Sequence, residues 1–169
     1  MLHIRHDRGF TLIELIIVVS LISIMLFLYI PKFQEAVMFD STKKVSRWII
    51  GKVKALKEGS ITNYKSYFLH VDLDNNRMWV TNELMSEEEM QNAEQQGFEL
   101  QDDINLLDVE YPGKDKILSG RADIYFYKKG YSDKALIHIE DNSNKQLSFL
   151  IEPFLSEVEL YEEYVEFEN

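Results

Sequence analysis

Cysteine is absent from this chain of 169 residues, and positive charge is scarce. Without cysteine the protein forms no disulfide, carries no cysteine-linked lipid and performs no thiol chemistry. Its 18 lysines and arginines are outnumbered by 29 aspartates and glutamates, which gives a formal net charge of −11. Because binding to nucleic acid needs clustered lysine and arginine side chains, this acidic balance predicts no nucleic-acid partner.

The sequence also lacks recognisable catalytic and metal-binding motifs. The histidines His3, His6, His70 and His138 do not have the spacing of metal ligands, and neither a phosphate-binding glycine loop nor a Gly-x-Ser-x-Gly motif is present. We interpret His70 and His138 as ordinary residues of predicted strands. The alternating acidic segment 157–168 is interpreted as a strand edge or tail with one solvated face, with a hard-cation site as the alternative. The sequence therefore predicts no enzyme, no cofactor and no metal centre.

The most prominent feature that is present is an apolar run from Phe10 to Ile30. At about 1.5 Å per residue, a helix of this length spans roughly 31 Å, which is close to the thickness of a bilayer's hydrocarbon core. Glu14 is the one charged residue inside the run. Because a carboxylate is costly in a membrane segment, its presence there indicates a functional role with a specific partner.

A short polar leader, residues 1–9, precedes the apolar run and contains Arg5 and Arg8. It has no apolar region of its own, so it is not an ordinary secretory signal peptide. Cleavage after Gly9 would create a new α-amine on Phe10, and such an amine is mostly cationic at neutral pH. Phe10 and Glu14 are four residues apart and share a helix face, so amine and carboxylate could pair within one chain or between neighbouring chains.

The stretch Arg8-Gly9-Phe10-Thr11-Leu12-Ile13-Glu14-Leu15 resembles the processing and methylation site of type IV pilins and type II secretion pseudopilins. The resemblance implies that a membrane prepilin peptidase cleaves after Gly9 and N-methylates Phe10. It also implies that Glu14 guides docking of the subunit into a helical fibre. The implied partners are other pilin-like subunits, that peptidase and an inner-membrane assembly platform. The alternative is a plain signal anchor in which Glu14 is incidental.

The charges near the apolar run predict its orientation. Arg5 and Arg8 flank its N-terminal end, so the leader is expected in the cytoplasm and the rest of the chain across the membrane, although Lys32 weakens this asymmetry. We therefore expect a single-pass protein of the inner membrane with its head in the periplasm. Many type IV pilins close a C-terminal loop with a disulfide, so the lack of cysteine favours a pseudopilin.

Behind the apolar run, Pro31 is predicted to kink the helix rather than end it. Apolar residues at helical spacing then predict a face that packs on the head: Trp48, Ile49, Val53 and Leu56. The basic residues of this helix, Lys57 included, are expected mostly elsewhere on its surface. We predict one helix from Phe10 to about Glu58 with Gly59 as its C-cap, and two helices broken at Pro31 as the alternative.

The head is predicted to consist mainly of strands. Runs rich in β-branched and aromatic residues around an Asp/Asn turn predict a hairpin from residues 66–73 and 77–81, and Ser86 with Glu89 has capping-box spacing before a short helix. Further strands are predicted over residues 104–111, 121–128, 134–140, 146–152 and 157–161. The predicted fold class is α+β, with a long N-terminal helix packed on an antiparallel β-sheet head, as in pilins.

The predicted organisation has four parts: a cleaved leader over 1–9, a membrane and assembly helix over 10–30, its amphipathic continuation over 31–59, and a head over 60–169 with an acidic insertion at 83–103. The order of strands and turns from Ile124 to Leu160 resembles the C-terminal sheet of H-type minor pseudopilins. The predicted function is that of a minor pseudopilin of type II secretion. The alternatives are a minor type IV pilin that primes pilus assembly and a membrane-anchored periplasmic enzyme or binding module.

Overall fold

The structure is a computed structural model that describes residues 12–168, and for residues 26–40 it describes the backbone alone. The chain divides into two compact units, Met1–Phe39 and Asp40–Asn169. The predicted cleavage site at Gly9 and Phe10 lies outside the described residues.

The first element, helix α1, runs from Leu12 to Thr62 and includes Pro31. The alternative of two separate helices is therefore wrong, whereas a bend at Pro31 remains a prediction. The predicted C-cap at Gly59 is also wrong, because the helix continues and the Asn63 N–H donates to the Gly59 carbonyl at 2.9 Å. Tyr64, with φ of 54°, adopts the left-handed conformation that glycine usually supplies just after a helix.

Eight strands and a second helix follow in the head. They are β1 (Tyr67–Asp72), β2 (Arg77–Asn82), α2 (Glu87–Gln95), β3 (Phe98–Glu99), β4 (Ile104–Glu110), β5 (Arg121–Phe126), β6 (Ala135–Asp141), β7 (Gln146–Ile151) and β8 (Val158–Tyr161). The first sheet has the order β3-β2-β1-β5 and the second has the order β4-β6-β7-β8. Every pairing is antiparallel, so the predicted fold class is confirmed, with the strands divided between two sheets.

The hairpin of β1 and β2 forms where the sequence predicted it. The carboxylate of Asp72 accepts hydrogen bonds from the backbone N–H groups of Asp74 and Asn75, at 3.1 and 3.0 Å. Asn76 closes the turn with φ of 52°, and its side chain also accepts from the Leu106 N–H at 2.8 Å. Asn76 therefore shapes the hairpin turn and joins it to β4 of the second sheet.

The predicted capping box at the start of α2 is present. The Ser86 hydroxyl accepts from the Glu89 N–H at 3.3 Å, and the Glu89 carboxylate accepts from the Ser86 N–H at 2.7 Å. These bonds satisfy two donors that the start of a helix otherwise leaves free. No residue of α2 is buried, so this helix adds nothing to the core.

The core lies where α1 meets the inner faces of both sheets. Side chains from one face of α1 belong to the same buried cluster as residues from both sheets: Val45, Ile49, Val53 and Leu56 from α1, Leu69 and Ile124 from the first sheet, Ile137 and Phe149 from the second. The helix thus covers apolar surface that neither sheet could bury alone.

Candidate functional site

The N-terminal part of α1 presents apolar side chains that its own chain leaves uncovered. Every described side chain from Leu12 to Met25 is exposed, with exposed fractions that range from 44% at Val18 to 77% at Leu12 among the large apolar residues. Soluble proteins rarely leave a continuous apolar surface of this kind in water. This surface requires lipid or other protein chains to cover it.

The few polar groups on this surface are arranged to suit an apolar environment. The hydroxyls of Ser20 and Ser23 donate back to the helix carbonyls of Ile16 and Val19, both at 2.8 Å. Their polar groups therefore need no water. Glu14 lies in the first turn of α1, where the helix dipole favours a negative charge.

Within the part of the chain that the structure describes, no helix satisfies both the length and the hydropathy expected of a bilayer span.

The four predicted packing residues of α1 have two different environments. Ile49 and Val53 are fully buried and Leu56 nearly so, whereas Trp48 is half-buried at the margin of the core. The Trp48 ring stacks on Phe98 of β3 with the ring centres 4.7 Å apart and an interplanar angle of 17°. Trp48 therefore contributes to the contact between α1 and the predicted insertion at 83–103, together with the Ser41 hydroxyl, which donates to the Gln101 side chain.

Lys57 is buried, contrary to the prediction that it lies on the surface. Its side chain is 3% exposed, and its ammonium group donates to the backbone carbonyls of Glu152 and Leu155. Burial lowers the pKa of Lys57, and the nearby Glu152 carboxylate opposes this effect. These bonds anchor the loop after β7 to α1, and this loop carries Phe154, which is 84% exposed.

A second buried polar group holds the C-terminal segment, residues 162–168, against the second sheet. His138 of β6 has no exposed surface, and its two ring nitrogens lie 2.7 Å from an Asp108 carboxylate oxygen and 2.7 Å from the Val165 carbonyl. The imidazole ring therefore lies between the Asp108 carboxylate and the Val165 carbonyl, and it joins β4 and β6 to the C-terminal segment.

Asp108 connects the same histidine to Tyr164. The Tyr164 hydroxyl donates to the second Asp108 oxygen at 2.8 Å, and its ring stacks on His138 with centres 4.1 Å apart. Burial alone would raise the pKa of Asp108, but hydrogen bonds from His138 and Tyr164 and the charges of His138 and Lys116 outweigh it and lower that pKa. The Lys116 ammonium also donates to Tyr164 at 2.9 Å and pairs with Glu166.

His70, Asp123 and Thr81 form a second constellation, on the outer face of the first sheet. The His70 ring nitrogens lie 2.6 Å from an Asp123 oxygen and 2.7 Å from the Thr81 hydroxyl. This is the order of groups found in Ser-His-Asp hydrolases. Thr81, however, is the next-to-last residue of β2 and is only 4% exposed, so no substrate carbonyl reaches its hydroxyl in this conformation. The arrangement instead ties three neighbouring strands together.

The described residues contain no group of three or more carboxylates, histidines or cysteines placed to hold a metal ion.

Comparisons with known proteins give two kinds of match, one to the N-terminal sequence and one to the fold. The family profile described as the prokaryotic N-terminal methylation motif matches residues 4–29. No protein among those with curated functions matches the sequence.

Two solved structures of the minor pseudopilin EpsH, from the type II secretion system of Vibrio cholerae, are similar in fold. The first has a TM-score of 0.53 at 13% identity and covers 71% of this chain and 94% of that chain. The second has a TM-score of 0.55 at 13% identity, with coverages of 76% and 98%. The chain thus carries a prokaryotic N-terminal methylation motif and is similar in fold to the minor pseudopilin EpsH.

Proposed function

We propose that this chain is a minor pseudopilin, a structural subunit of the periplasmic fibre that drives protein export by type II secretion. The observation that supports this most is the combination, in one chain, of the methylation motif over residues 4–29 with the EpsH-like head. The work of such a subunit is mechanical. The chain supplies a packing helix and a head surface, and a partner motor supplies the energy.

The uncovered apolar surface of α1 supports the same proposal. Before assembly, lipid of the inner membrane covers the side chains from Leu12 to Met25, and the head lies in the periplasm. After prepilin peptidase has cleaved the leader at Gly9, the assembly platform moves the helix among those of other pilin-like subunits. Glu14 then pairs with the methylated α-amine of Phe10 on a neighbour, an interaction that is strong in low dielectric.

The substitution Glu14→Ala separates processing from assembly. We expect the mature variant and the parent protein to begin at Phe10 with one methyl group on the α-amine, as read by intact-mass measurement of membrane extracts. The variant should be inserted and folded normally but depleted from purified fibres, because its helix lacks the carboxylate that pairs with a neighbour.

Glu14→Asp is the matched control, since it keeps the charge on a shorter side chain and should recover part of the fibre incorporation. A parent protein that retains residues 1–9 in secreting cells would overturn the proposal, as would normal recovery of Glu14→Ala in fibres. If deletion of the chain leaves secretion intact and abolishes surface pili, the chain is a minor type IV pilin instead.

A further inference from the structure

One side of α1 within the head is basic, although the chain as a whole is acidic. Over residues 41–57 the helix contains six of the chain's 18 lysines and arginines and no aspartate or glutamate. Lys44, Arg47, Gly51 and Lys54 follow one another at intervals of three or four residues, which places them on one side of the helix. All four residues are exposed, and together they form the basic face of α1.

The head does not cover this face. The side of the same helix that packs on the sheets carries Val45, Ile49 and Val53, which are at most 1% exposed. Within the part of the chain that the structure describes, neither Lys44 nor Lys54 forms an ion pair. The charges of these two lysines are therefore directed outward, where another molecule can reach them.

Gly51, inside the basic face, has no steric role among the described residues. It lies within a helix, where glycine lowers stability relative to alanine. Its φ angle is not positive, and a methyl group placed on it would meet no atom within 4 Å. The fold would accept a larger residue here with a gain in stability. The missing side chain matters instead to a molecule that approaches the helix backbone closely.

The basic face fits the side of another helix. Lys44 and Lys54 are ten residues apart, about 15 Å along the helix axis, and Gly51 lies between them. The distance between packed helices depends on the side chains at the contact, so glycine permits a close approach. A layer of lipid headgroups gains nothing from this gap. Charge complementarity then favours carboxylates on the partner helix at both ends of the contact.

We propose that the basic face of α1 binds a helix of a partner protein that carries aspartate or glutamate at the spacing of Lys44, Arg47 and Lys54. The partner helix approaches most closely over Gly51, and ion pairs form on both sides of it. A second copy of this chain is a poor partner. Contact between the basic face of one copy and the acidic α2 of the next would continue head to tail, and every step would join two chains of net charge −11. The proposal does not depend on incorporation into a fibre.

Fluorescence anisotropy of a labelled peptide measures this binding, with the full chain in a non-ionic detergent. The probe is an alanine-based helical peptide with glutamates on one face at the spacing of Lys44, Arg47 and Lys54. Matched peptides carry glutamine or lysine at the same positions, and soluble short-chain phosphatidylglycerol serves as the lipid competitor. We expect saturable binding of the glutamate peptide that salt weakens, and about tenfold or greater loss of affinity with either matched peptide.

Variants of the basic face separate binding from folding. Gly51→Leu should raise the melting temperature by about 2–4 °C, because leucine favours a helix, yet weaken peptide binding about threefold or more by filling the gap. Gly51→Ala adds only a methyl group, so it should stabilise the chain similarly and weaken binding less. Lys54→Gln should weaken binding about threefold or more. Lys129→Gln, at an exposed lysine outside the basic face, is its matched control and should change binding little.

Several results would overturn the proposal. They are no saturable binding, equal binding of the glutamate and glutamine peptides, unchanged affinity of Gly51→Leu, and equal losses from Lys54→Gln and Lys129→Gln. A lower melting temperature of Gly51→Leu would also overturn it, because the fold itself would then need the glycine. Displacement of the peptide by phosphatidylglycerol but not by short-chain phosphatidylcholine would assign the face to lipid headgroups instead. Salt-sensitive self-association that Lys54→Gln abolishes would assign it to a second copy.

Discussion

Individual buried polar side chains determine how the end of this chain is held. His138 and Asp108 form a hydrogen-bonded pair beneath the C-terminal segment, and Ser148 accepts from the Val165 N–H at 3.0 Å while donating to the Glu163 carbonyl at 2.7 Å. Removing one member of a buried hydrogen-bonded pair is costly because the other polar group is left without its partner. The segment is thus fixed by specific hydrogen bonds more than by apolar contact.

Asp108 is expected to stabilise the folded protein in a pH-dependent way. Its pKa is lowered in the folded protein, so its contribution to stability is present above the usual carboxyl value of about 3.9 and is lost as pH falls through the lower folded value. We expect Asp108→Asn to lower the free energy of unfolding at neutral pH by about 2–3 kcal/mol, because His138 and Tyr164 lose the ionised acceptor that they share. Urea unfolding at neutral pH and near pH 3 measures this effect.

The variant should also lose less stability on acidification than the parent protein, because the group that titrates has been removed. Asp102→Asn, at an exposed carboxylate, is the control and should change little at either pH. Identical acid dependence of Asp108→Asn and the parent would mean that this pair does not stabilise the folded state.

The sequence predicted that His70 and His138 lie in strands, but it did not predict their hydrogen-bond partners. Asp123 is 53 residues from His70, and Asp108 is 30 residues from His138. Local periodicity carries no information about such distant pairings. The error at Lys57 has a partly similar origin, because its carbonyl partners are more than ninety residues away. Helical spacing, however, places Lys57 four residues after Val53, on the buried face of α1.

Among the elements, helix α1 has two different chemical surfaces. All described side chains from Leu12 to Met25 are exposed, whereas the face from Val45 to Leu56 contributes to the core. The hairpin and α2 follow from local turn and capping signals, which is why the sequence predicted them closely. The strand β3 was not predicted, because two residues, Phe98 and Glu99, are too few to show a period of two.

A charged residue on the packed face of α1 is expected to destabilise the protein in proportion to how deeply the position is buried. Ile49→Asp places a charge in the fully buried interface, so we expect it to cost about 4 kcal/mol or more. Trp48→Asp should cost less, about 1–2 kcal/mol, since Trp48 is half-buried and mainly loses its stacking on Phe98. For a chain of this size each kcal/mol lowers the melting temperature by about 2–4 °C.

Thermal unfolding of the full chain in detergent, followed by circular dichroism, measures both effects. Ala55→Asp introduces the same charge at an exposed position of the same helix and should shift the melting temperature least. If Ile49→Asp melts with the control, this face of α1 does not pack on the sheets.

The whole molecule is acidic, and this limits how it can assemble. The leader carries Arg5, Arg8 and Asp7, a net charge of +1, so its removal would take the net charge from −11 to −12. Much of this charge lies on exposed head segments, in α2 and between Glu157 and Glu168. Like charges repeated along a fibre repel one another, and salt screens this only beyond about 8–10 Å.

A subunit with these charges is suited to few positions in a fibre, next to different neighbours. The presence of Glu14 indicates incorporation beneath a neighbour already in place, since resemblance to the pilin family suggests that the extreme tip subunit lacks this residue. We therefore expect a low-copy subunit just below the tip. Quantitative mass spectrometry of purified fibres, with the main shaft protein as the internal reference, measures the copy number. A copy number equal to that of the shaft protein would refute this position, because this head would then have to pack repeatedly against its own acidic surface.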